Sequence, residues 1–410
     1  MRKISILCLT AVVLFGLSSC KGQEGTGDPF SSVSVSSERE AQMQSSSIES
    51  ESVTSESLIS SETVSASSLG TVSEKLTLPS QPTKPPTVSA TSSKASSQPI
   101  YKPTLDYHNL PDSALQLYSS LDFDQNDIEL YHKMVDAYLN FESTVPFDTA
   151  TQLPHSVLRL LWFHCPVFFA DTAIGVDFAD YNTGRVKITY TSKNAYEHGL
   201  VIKKFEDSCR PFLEGLGSND TETERALICY HRFVKSLKYD YEFAEQMSGK
   251  PFHFYAEDNP SYNETYIALT EHTGVCSAFS VGYNFLLSQL DIEAYYVGAD
   301  HKTESVSHAW SMLKLNGKWF FADPTWDAVK GNSSIAYFGV QTLERATNGY
   351  LVDRYRISDM RGVKFSDFAV VRDFRFAPLS AGAHAPIFDR AKNTVTYTDK
   401  NGEQKTFDLT

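Results

Sequence analysis

The stretch SHAWSMLKLNGKWFFADPTWD, residues 307–327, predicts a β-hairpin. Asn316-Gly317 is a strong hairpin signal, because a type I′ turn needs two residues that tolerate positive φ. The flanking residues are aromatic, branched or alternating, which indicates strands. A two-residue turn would pair Leu315 with Lys318, Met312 with Phe321, Trp310 with Asp323, and His308 with Thr325. His308 and Asp323 would then be diagonal neighbours on one face, with Cα atoms about 7–8 Å apart.

A helix that begins at Cys276 is predicted upstream of this hairpin. From Cys276 to Leu290 the apolar residues lie on several faces, which is typical of a helix buried on most sides. A strand follows at Ile292–Val297, so the order is helix, strand, strand, strand. The first turn of a helix carries partial positive charge and free N–H groups, and both favour a thiolate at Cys276. The same N–H groups can hold an oxyanion.

Cys276, His308 and Asp323 are the residue types of a nucleophile, a base and a group that orients the base. The carboxylate would fix the tautomer of the imidazole and stabilise its charged form. The sequence therefore predicts a Cys-His-Asp triad.

Three segments in this order, GVCSAFS, SHAW and FFADPTWD, resemble the motifs of the transglutaminase-like superfamily. The resemblance covers about 271–327. It implies an α+β fold with a papain-like core, in which a helix packs on an antiparallel sheet. It also implies Cys276 as the nucleophile, His308 as the general base and acid, and Asp323 as the orienting carboxylate. No cofactor is implied, although some members of the superfamily depend on calcium.

The resemblance extends more weakly upstream. A helix predicted for Thr221–Lys238, with the Tyr-Asp that follows, resembles a segment that such domains carry before the nucleophile, and the region of Pro166 resembles the extension found in bacterial lipoprotein members. Ser277 stands where many members have Gly. The side chain that completes the oxyanion hole in the family cannot be placed by motif.

Two other interpretations use the same part of the chain. Zinc favours Cys and His ligands, and a metal site could draw on His272, Cys276, His301 and His308, although their spacing matches no standard ligand pattern. The fold could instead serve a non-catalytic surface protein, a binding or scaffold module, because a fold and even a full triad do not prove turnover.

The N-terminal region predicts export. Residues 1–20 combine Arg2 and Lys3 with a short apolar run, as a secretory signal does. LSSC resembles the lipobox of bacterial lipoproteins, which implies cleavage before Cys20 and lipid attached to it; an ordinary signal peptide is the alternative. Residues 21–100 are dominated by Ser, Thr, Glu and Pro, a composition that predicts a disordered tether.

The rest of the chain is rich enough in apolar residues for a large core. We predict an N-terminal extension at 101–220, a catalytic core at 221–380 and a C-terminal β-hairpin annex at 381–410. The formal charge of the 410-residue chain is −14 at pH 7, with no basic run, which argues against nucleic acid as a partner. Among its cysteines, Cys165 and Cys209 could form a disulfide, but buried free thiols are the favoured interpretation.

Four further elements are predicted by periodicity and turn chemistry. They are a helix capped by Asn126 or Asp127 and running to about Phe141, a strand at 186–191, a long polar stretch up to about Thr265, and a hairpin of Thr394–Tyr397 with Lys405–Asp408.

These features together predict a surface-tethered acyl-transfer enzyme. Cys276 would attack an amide bond of a peptide, a protein or peptidoglycan, and water or an amine would then release the acyl group, giving hydrolysis or cross-linking. Lipid at Cys20 would hold the protein to the outside of the bacterial cell membrane.

Overall fold

A computed structural model describes most of the chain after residue 100. The described residues are 101–111, 124–152, 154–175, 182–247, 263–301, 307–331, 333–340, 355–357 and 373–410. The predicted signal peptide, the lipidation site Cys20 and the predicted tether at 21–100 lie outside the described residues.

The hairpin lies in a five-stranded antiparallel sheet with the strand order β10-β6-β7-β8-β9. Its strands are β6 (Ala294–His301), β7 (Ser307–Leu315), β8 (Lys318–Ala322), β9 (Phe338–Val340) and β10 (Tyr355–Ile357). Asn316 and Gly317 have φ of 50° and 76°, as a type I′ turn requires. The turn pairs Leu315 with Lys318 and Met312 with Phe321, so this part of the predicted register is confirmed.

The predicted hairpin was too long at one end. The pairing of β7 with β8 ends at Ser311 and Ala322, so the predicted pairs Trp310–Asp323 and His308–Thr325 are wrong. Helix α8 (Pro324–Val329) starts directly after the strand, with Asp323 as its N-cap. Proline suits the first turn of a helix because its missing N–H would have no partner there.

Helices pack against this sheet and against other helices. In chain order the others are α1 (Gln125–Leu139), α2 (Pro154–His164), α3 (Ala195–Leu213), α4 (Glu222–Ser236), α5 (Tyr241–Met247), α6 (Glu264–Thr270), α7 (Cys276–Ser288) and α9 (Ala377–Ser380). A 3-10 turn lies at Phe168–Ala170. No helix among the described residues is both long and apolar enough to cross a bilayer.

Helix α7 is the centre of the core. It packs on β6 and β7 on one side and meets α2, α3, α4, α6 and α8 on the others. Every residue from Ala278 to Leu287 is buried. A Cβ at Gly282 would lie 3.2 Å from the Phe233 ring and 3.4 Å from Leu269, so the glycine lets α4 and α6 approach closely. The helix buried on most sides is therefore confirmed, and so is the α+β fold with a helix on an antiparallel sheet.

Several helix boundaries differ from the prediction. The cap of α1 is Asp124, whose carboxylate accepts from the N–H groups of Asn126 and Asp127, and Asp127 completes a capping box. Helix α4, predicted for Thr221–Lys238, has Thr221 as its N-cap and ends at Ser236. The long polar stretch predicted up to about Thr265 contains α5 and the start of α6.

Three smaller sheets complete the described fold. One has the order β1-β3-β2, from β1 (Thr144–Pro146), β2 (Thr172–Gly175) and β3 (Arg185–Tyr190), and it contains the strand predicted at 186–191. A second is the short parallel pair of β4 (Lys238–Tyr239) and β5 (Thr273–Gly274).

The third sheet lies at the C-terminus and has one strand more than the predicted hairpin. Strands β12 (Thr394–Thr398) and β13 (Gln404–Asp408) form that hairpin, and β11 (His384–Asp389) adds to its edge. Val395 and Leu409 are buried in the common core. The C-terminal sheet therefore packs against the rest of the described fold and shares its core.

The cysteines of the described residues are free thiols. Cys165, Cys209 and Cys229 are completely buried, and burial raises the pKa of each thiol. There is no bridge between Cys165 and Cys209. Cys276 differs from them because it is partly exposed.

A buried carboxylate fixes the start of the described chain. Glu206 on α3 accepts hydrogen bonds from the Tyr101 hydroxyl at 2.6 Å, the Thr104 N–H at 2.9 Å, the Leu105 N–H at 3.1 Å and the Tyr107 hydroxyl at 3.1 Å. Burial acts against the ionised form, but the hydrogen bonds from Thr104 and Tyr101 outweigh it and lower the pKa of Glu206. Residues 101–107 are thus held by one ionised side chain.

Glu206→Gln should loosen this segment. The amide presents an NH2 group to buried donors, so at least one donor loses its partner, which costs about 1–3 kcal/mol of unfolding free energy. We expect faster chymotrypsin cleavage after Tyr107 and a lower urea midpoint. Asp207→Asn, at an exposed neighbouring position, is the matched control. Equal cleavage rates in the two variants would contradict this role of Glu206.

Candidate active site

The nucleophile candidate lies at an uncapped helix end. Cys276 is the first residue of α7, and the N-cap, Val275, offers no side-chain hydrogen bond. The first N–H groups of an α-helix have no partner within the helix. They therefore remain available to an anion beside the thiol.

The parallel pair of β4 and β5 builds the wall next to Cys276. Tyr239 is opposite Gly274 in this pair, and the Asp240 N–H donates to the Gly274 carbonyl at 2.9 Å. A Cβ at Gly274 would lie 3.2–3.3 Å from the side chains of Phe279, Ala268 and Ala278. A glycine two residues before the nucleophile thus allows β5 to lie directly on α6 and on the start of α7.

His308 and Asp323 form a buried pair. His308 Nε2 is 2.6 Å from Asp323 Oδ2, and the side chains are 8% and 0% exposed. The indole rings of Trp310 and Trp326 contact the imidazole, with ring centroids 5.8 and 5.9 Å from it. The predicted neighbours are therefore brought together even though Asp323 is beyond the end of the strand.

The other carboxylate oxygen of Asp323 is used by the backbone. Oδ1 accepts from the N–H groups of Thr325 at 3.0 Å and Trp326 at 3.3 Å, which caps α8. The Asp323 N–H donates to the Tyr337 carbonyl at 3.0 Å. Because the backbone of α8 holds Oδ1, the carboxylate cannot rotate freely, and Oδ2 is directed toward His308.

The imidazole connects the carboxylate to the thiol. Asp323 binds Nε2 of the imidazole. Cys276 also hydrogen-bonds His308, and Nδ1 is the ring nitrogen available for this bond. Burial disfavours the charged imidazole, but the charge and hydrogen bond of Asp323, with those of Cys276, raise the pKa of His308 to about 10. An imidazolium at neutral pH favours a thiolate beside it.

A second buried carboxylate, Asp327, supports this pair from behind. It accepts hydrogen bonds from the Tyr230 hydroxyl at 2.6 Å and the Tyr337 N–H at 2.8 Å. Tyr230 Oη is also 2.8 Å from the Asp323 carbonyl oxygen. Burial raises the pKa of Asp327 to about 6. Helix α4, helix α8 and the chain at Tyr337 are thereby fixed around Asp323.

Glu264 is a third buried acid, next to the nucleophile. The Ser277 hydroxyl donates to Glu264 Oε2 at 3.2 Å, and the residue is 6% exposed. Burial raises the pKa of Glu264 to about 8, although the hydrogen bond from Ser277 acts in the opposite direction. At neutral pH this side chain is therefore mainly an uncharged carboxylic acid.

The structure brings Cys276, His308 and Asp323 together, and their catalytic roles stay a prediction. His272 contacts the Phe212 ring, with centroids 5.8 Å apart. The described residues contain no group of three or more His, Cys, Asp or Glu side chains arranged to hold a metal. The side chain of His301 and the whole of residue Cys20 lie outside the described part of the structure.

Sequence reasoning missed four residues around this site. Asp327 and Tyr239 lie within stretches singled out by the motifs, DPTWD and the Tyr-Asp after α4, but neither was assigned a contact. Tyr230 falls within the helix predicted for Thr221–Lys238, where its spacing indicates only a place on the apolar face. Glu264 gave no signal because it lies in the polar stretch just before the motif segment, where no residue pattern marks a buried acid.

The central part of the chain is similar to a known family. Residues 212–324 match the family model of the transglutaminase-like superfamily. No curated protein matches the chain in sequence.

Two solved structures are similar to it at low identity. A candidate cysteine protease from Cytophaga hutchinsonii is 19% identical, with a TM-score of 0.22, and the match covers 30% of this chain and 37% of that one. A protein described as a TGase is 17% identical, with a TM-score of 0.26, and the match covers 38% and 43%. This chain spans less than half the length of each.

Glu264→Gln should change how stability depends on pH. The unfolded glutamate ionises near pH 4.5, whereas the folded one stays neutral until about pH 8. The wild type therefore loses stability as pH rises from about 4.5 to about 8, and the glutamine variant lacks this loss. Relative to wild type, the variant should gain on the order of a few kcal/mol across this window.

Urea unfolding at pH 4.5, 6 and 8 measures this difference. Glu242→Gln, an exposed glutamate on α5, is the control and should follow the wild type. A constant difference between Glu264→Gln and wild type at all three pH values would show that Glu264 ionises normally in the folded protein.

Proposed function

We propose that the transglutaminase-like domain formed by residues 212–324 is a thiol acyl-transfer enzyme that acts on amide bonds. One observation carries this proposal: the buried His308–Asp323 pair, with its atoms 2.6 Å apart, contacts the partly exposed Cys276 at an uncapped helix N-terminus. Nucleophile, base and anion-binding N–H groups meet at one point, which is the arrangement covalent acyl transfer needs.

The proposed reaction has two stages. The Cys276 thiolate attacks the amide carbon, and the carbonyl oxygen becomes an oxyanion beside the N–H groups of α7. As the C–N bond breaks, the His308 imidazolium gives its proton to the leaving amine. A thioester remains. Neutral His308 then takes a proton from the water or amine that attacks the thioester carbon, and the C–S bond breaks, which releases the acyl product and returns the Cys276 thiolate beside the His308 imidazolium.

Peptide or protein amides are the proposed substrates, with peptidoglycan peptides as a narrower candidate. Attack by water gives a peptidase or amidase, whereas attack by an amine gives cross-linking. We favour hydrolysis because water reaches a partly exposed thiol readily. A cross-linking enzyme would instead incorporate a fluorescent amine into a glutamine-containing protein, and a peptidase would create new N-termini.

The proposed location is the outer side of a bacterial cell membrane, with the chain anchored by lipid at Cys20. The charged start, the apolar run and LSSC support it. Attachment of two or more acyl chains gives stable anchoring where one chain does not.

Cys20→Ser should abolish lipid attachment. In bacteria fed labelled palmitate, the wild-type chain should carry label and sediment with membranes, and Cys20→Ser should do neither. Cys8→Ser is the matched control, because Cys8 lies in the apolar run of the same segment and should be dispensable. Label that persists in Cys20→Ser, or an unlabelled wild type, would refute the anchor.

The pH dependence of alkylation tests the proposed chemistry. Iodoacetamide should modify Cys276 at mildly acidic pH, where an isolated thiol with a pKa near 8.5 is protonated, because the imidazolium stabilises the thiolate. His308→Ala should remove this reactivity. Asp323→Asn should weaken it, while the asparagine oxygen still caps α8.

Peptide mass spectrometry of the full chain assigns the modified cysteine. Cys165, Cys209 and Cys229 serve as internal controls, because their burial protects them until the protein is denatured. If Cys276 reacts as an ordinary thiol in wild type and His308→Ala alike, the enzyme proposal fails. A non-catalytic binding or scaffold module would then be the better description, and Cys276→Ala would leave its biological role intact.

A further inference from the structure

Helix α8, which follows Asp323 directly, has an exposed face next to the site. Trp326, Val329 and Lys330, the C-cap, have the spacing i, i+3 and i+4, which places them together on one face of a helix. Trp326 is partly buried, Val329 is 38% exposed and Lys330 is exposed. The Trp326 ring lies 5.9 Å from the imidazole of His308. This face therefore begins beside the catalytic pair and ends in a cation.

Lys330 is fixed by an aromatic ring but has no carboxylate partner. Its Nζ lies 4.3 Å from the centroid of the Tyr337 ring and 3.3 Å from the Tyr337 hydroxyl oxygen. Tyr337 is buried, and its ring stacks on that of Trp326 with centroids 6.3 Å apart. No carboxylate in the described part of the chain forms an ion pair with this ammonium, whereas Lys318 binds Asp373 at 2.6 Å. The cation is thus held in place without an anion.

The ammonium of Lys330 is only partly solvated. Burial lowers the pKa of Lys330, and the charges of Asp327 and Asp323 act in the opposite direction. Both of these carboxylates are buried and are engaged by other groups, Asp327 by the Tyr230 hydroxyl and Asp323 by His308. A partly desolvated cation gains most from a hydrogen-bonded anion, because charge-assisted hydrogen bonds are the strong ones. Such an anion has to come from outside this part of the fold.

The position of Lys330 indicates which part of a substrate it would meet. Helix α8 is capped by Asp323, which binds Nε2 of the imidazole, so this helix lies on the side of His308 away from Cys276. His308 gives its proton to the leaving amine, so the part of the substrate joined to that amine passes this side. Lys330 is one helical turn, about 5.4 Å, beyond Trp326. An extended peptide advances about 3.3–3.6 Å per residue, so a carboxylate roughly two to four residues after the scissile amide would reach the ammonium.

We infer that Lys330 is a specificity-determining residue, which binds a carboxylate on the leaving part of a peptide substrate. Trp326 and Val329 offer an apolar surface to the substrate residues between the scissile amide and that carboxylate. This inference rests on the proposed function, because it names the substrate class of the same site. The substrates are acidic peptides, with the negative charge after the bond that is cut.

Two sources of the carboxylate have the same chemistry. One is the side chain of a glutamate or aspartate in the substrate, and the other is the free C-terminus of a short peptide. A lysine ammonium is a compact point charge with three rotatable donors, so it binds either kind of carboxylate. The two sources are therefore compared directly in the experiment.

Thiol-reactive peptides test this role without requiring turnover. Iodoacetyl-Gly-Gly-Glu-amide alkylates the Cys276 thiolate as the S–C bond forms and iodide leaves, and its tail carries a carboxylate at the third residue. Iodoacetyl-Gly-Gly-Gln-amide has the same size without the charge. Iodoacetyl-Gly-Gly-Gly with a free C-terminus presents the other kind of carboxylate. The ratio of the rates with the glutamate and glutamine probes cancels the intrinsic reactivity of the thiol and leaves the effect of the charge.

In the full chain, Cys276 should react about tenfold faster with the glutamate probe than with the glutamine probe, the effect expected of one hydrogen bond between charged groups. Lys330→Met should bring this ratio to about one, because methionine keeps an unbranched stem against Tyr337 and loses the charge. Lys330→Glu should bring it below one, and Lys330→Arg should preserve it. Lys238→Met is the matched control and should keep the full ratio, since it removes an exposed lysine from β4, the strand that borders Cys276.

A wild-type ratio near one for both carboxylate probes, with Cys276 still reactive at mildly acidic pH, would refute this role of Lys330 and leave the proposed function intact. A tenfold ratio that persists in Lys330→Met, or that disappears in Lys238→Met, would place the carboxylate at another cation and also overturn the inference. If Lys330→Met does not fold, Lys330→Gln compared with Lys330→Arg gives the same test. If wild-type Cys276 is inert toward every probe, the proposed function fails and this role fails with it.

Discussion

The site depends on how one buried carboxylate divides its two oxygens. Asp323 is completely buried, and an ionised group at such a position is stable only when its hydrogen bonds are satisfied. One oxygen accepts the first N–H groups of α8, and the other faces His308. The helix cap therefore aims the imidazole. Loss of the short helix after the strand would leave the histidine without an orienting partner, although the sheet itself would be intact.

Around this carboxylate, polar groups buried behind the site are linked to one another. Tyr230 bridges the Asp323 carbonyl and the Asp327 side chain, and Asp327 also binds the backbone at Tyr337, whose carbonyl accepts from Asp323. A buried network that is fully satisfied gives a single arrangement, because any alternative leaves a polar group unpaired. Asp323, the partner of the histidine, is thus positioned by α4 as well as by the helix that it caps.

Local chemistry allowed some of this structure to be predicted, and distance along the chain limited the rest. Asn316-Gly317 determined the hairpin register, and the burial pattern identified α7. The strand end at Ala322 was missed because a β-branched and an aromatic residue, Thr325 and Trp326, follow it, whereas the Asp323 cap and Pro324 start a helix there. Tyr239 is paired with Gly274, and Glu264 accepts from Ser277, only because separate segments pack together, which periodicity within one segment does not reveal.

Helix α7 separates the nucleophile from the segment that begins the described part of the chain. Cys276 is at its first residue, and at its other end Ser288 and Gln289 bind Asn109 and Asp106 of the segment that Glu206 also holds. Thirteen residues at about 1.5 Å each separate these ends by roughly 20 Å. The segment that contains Asp106 and Asn109 therefore lies at the end of α7 opposite the thiol, and Glu206 and the last residues of this helix together hold it away from the reacting groups.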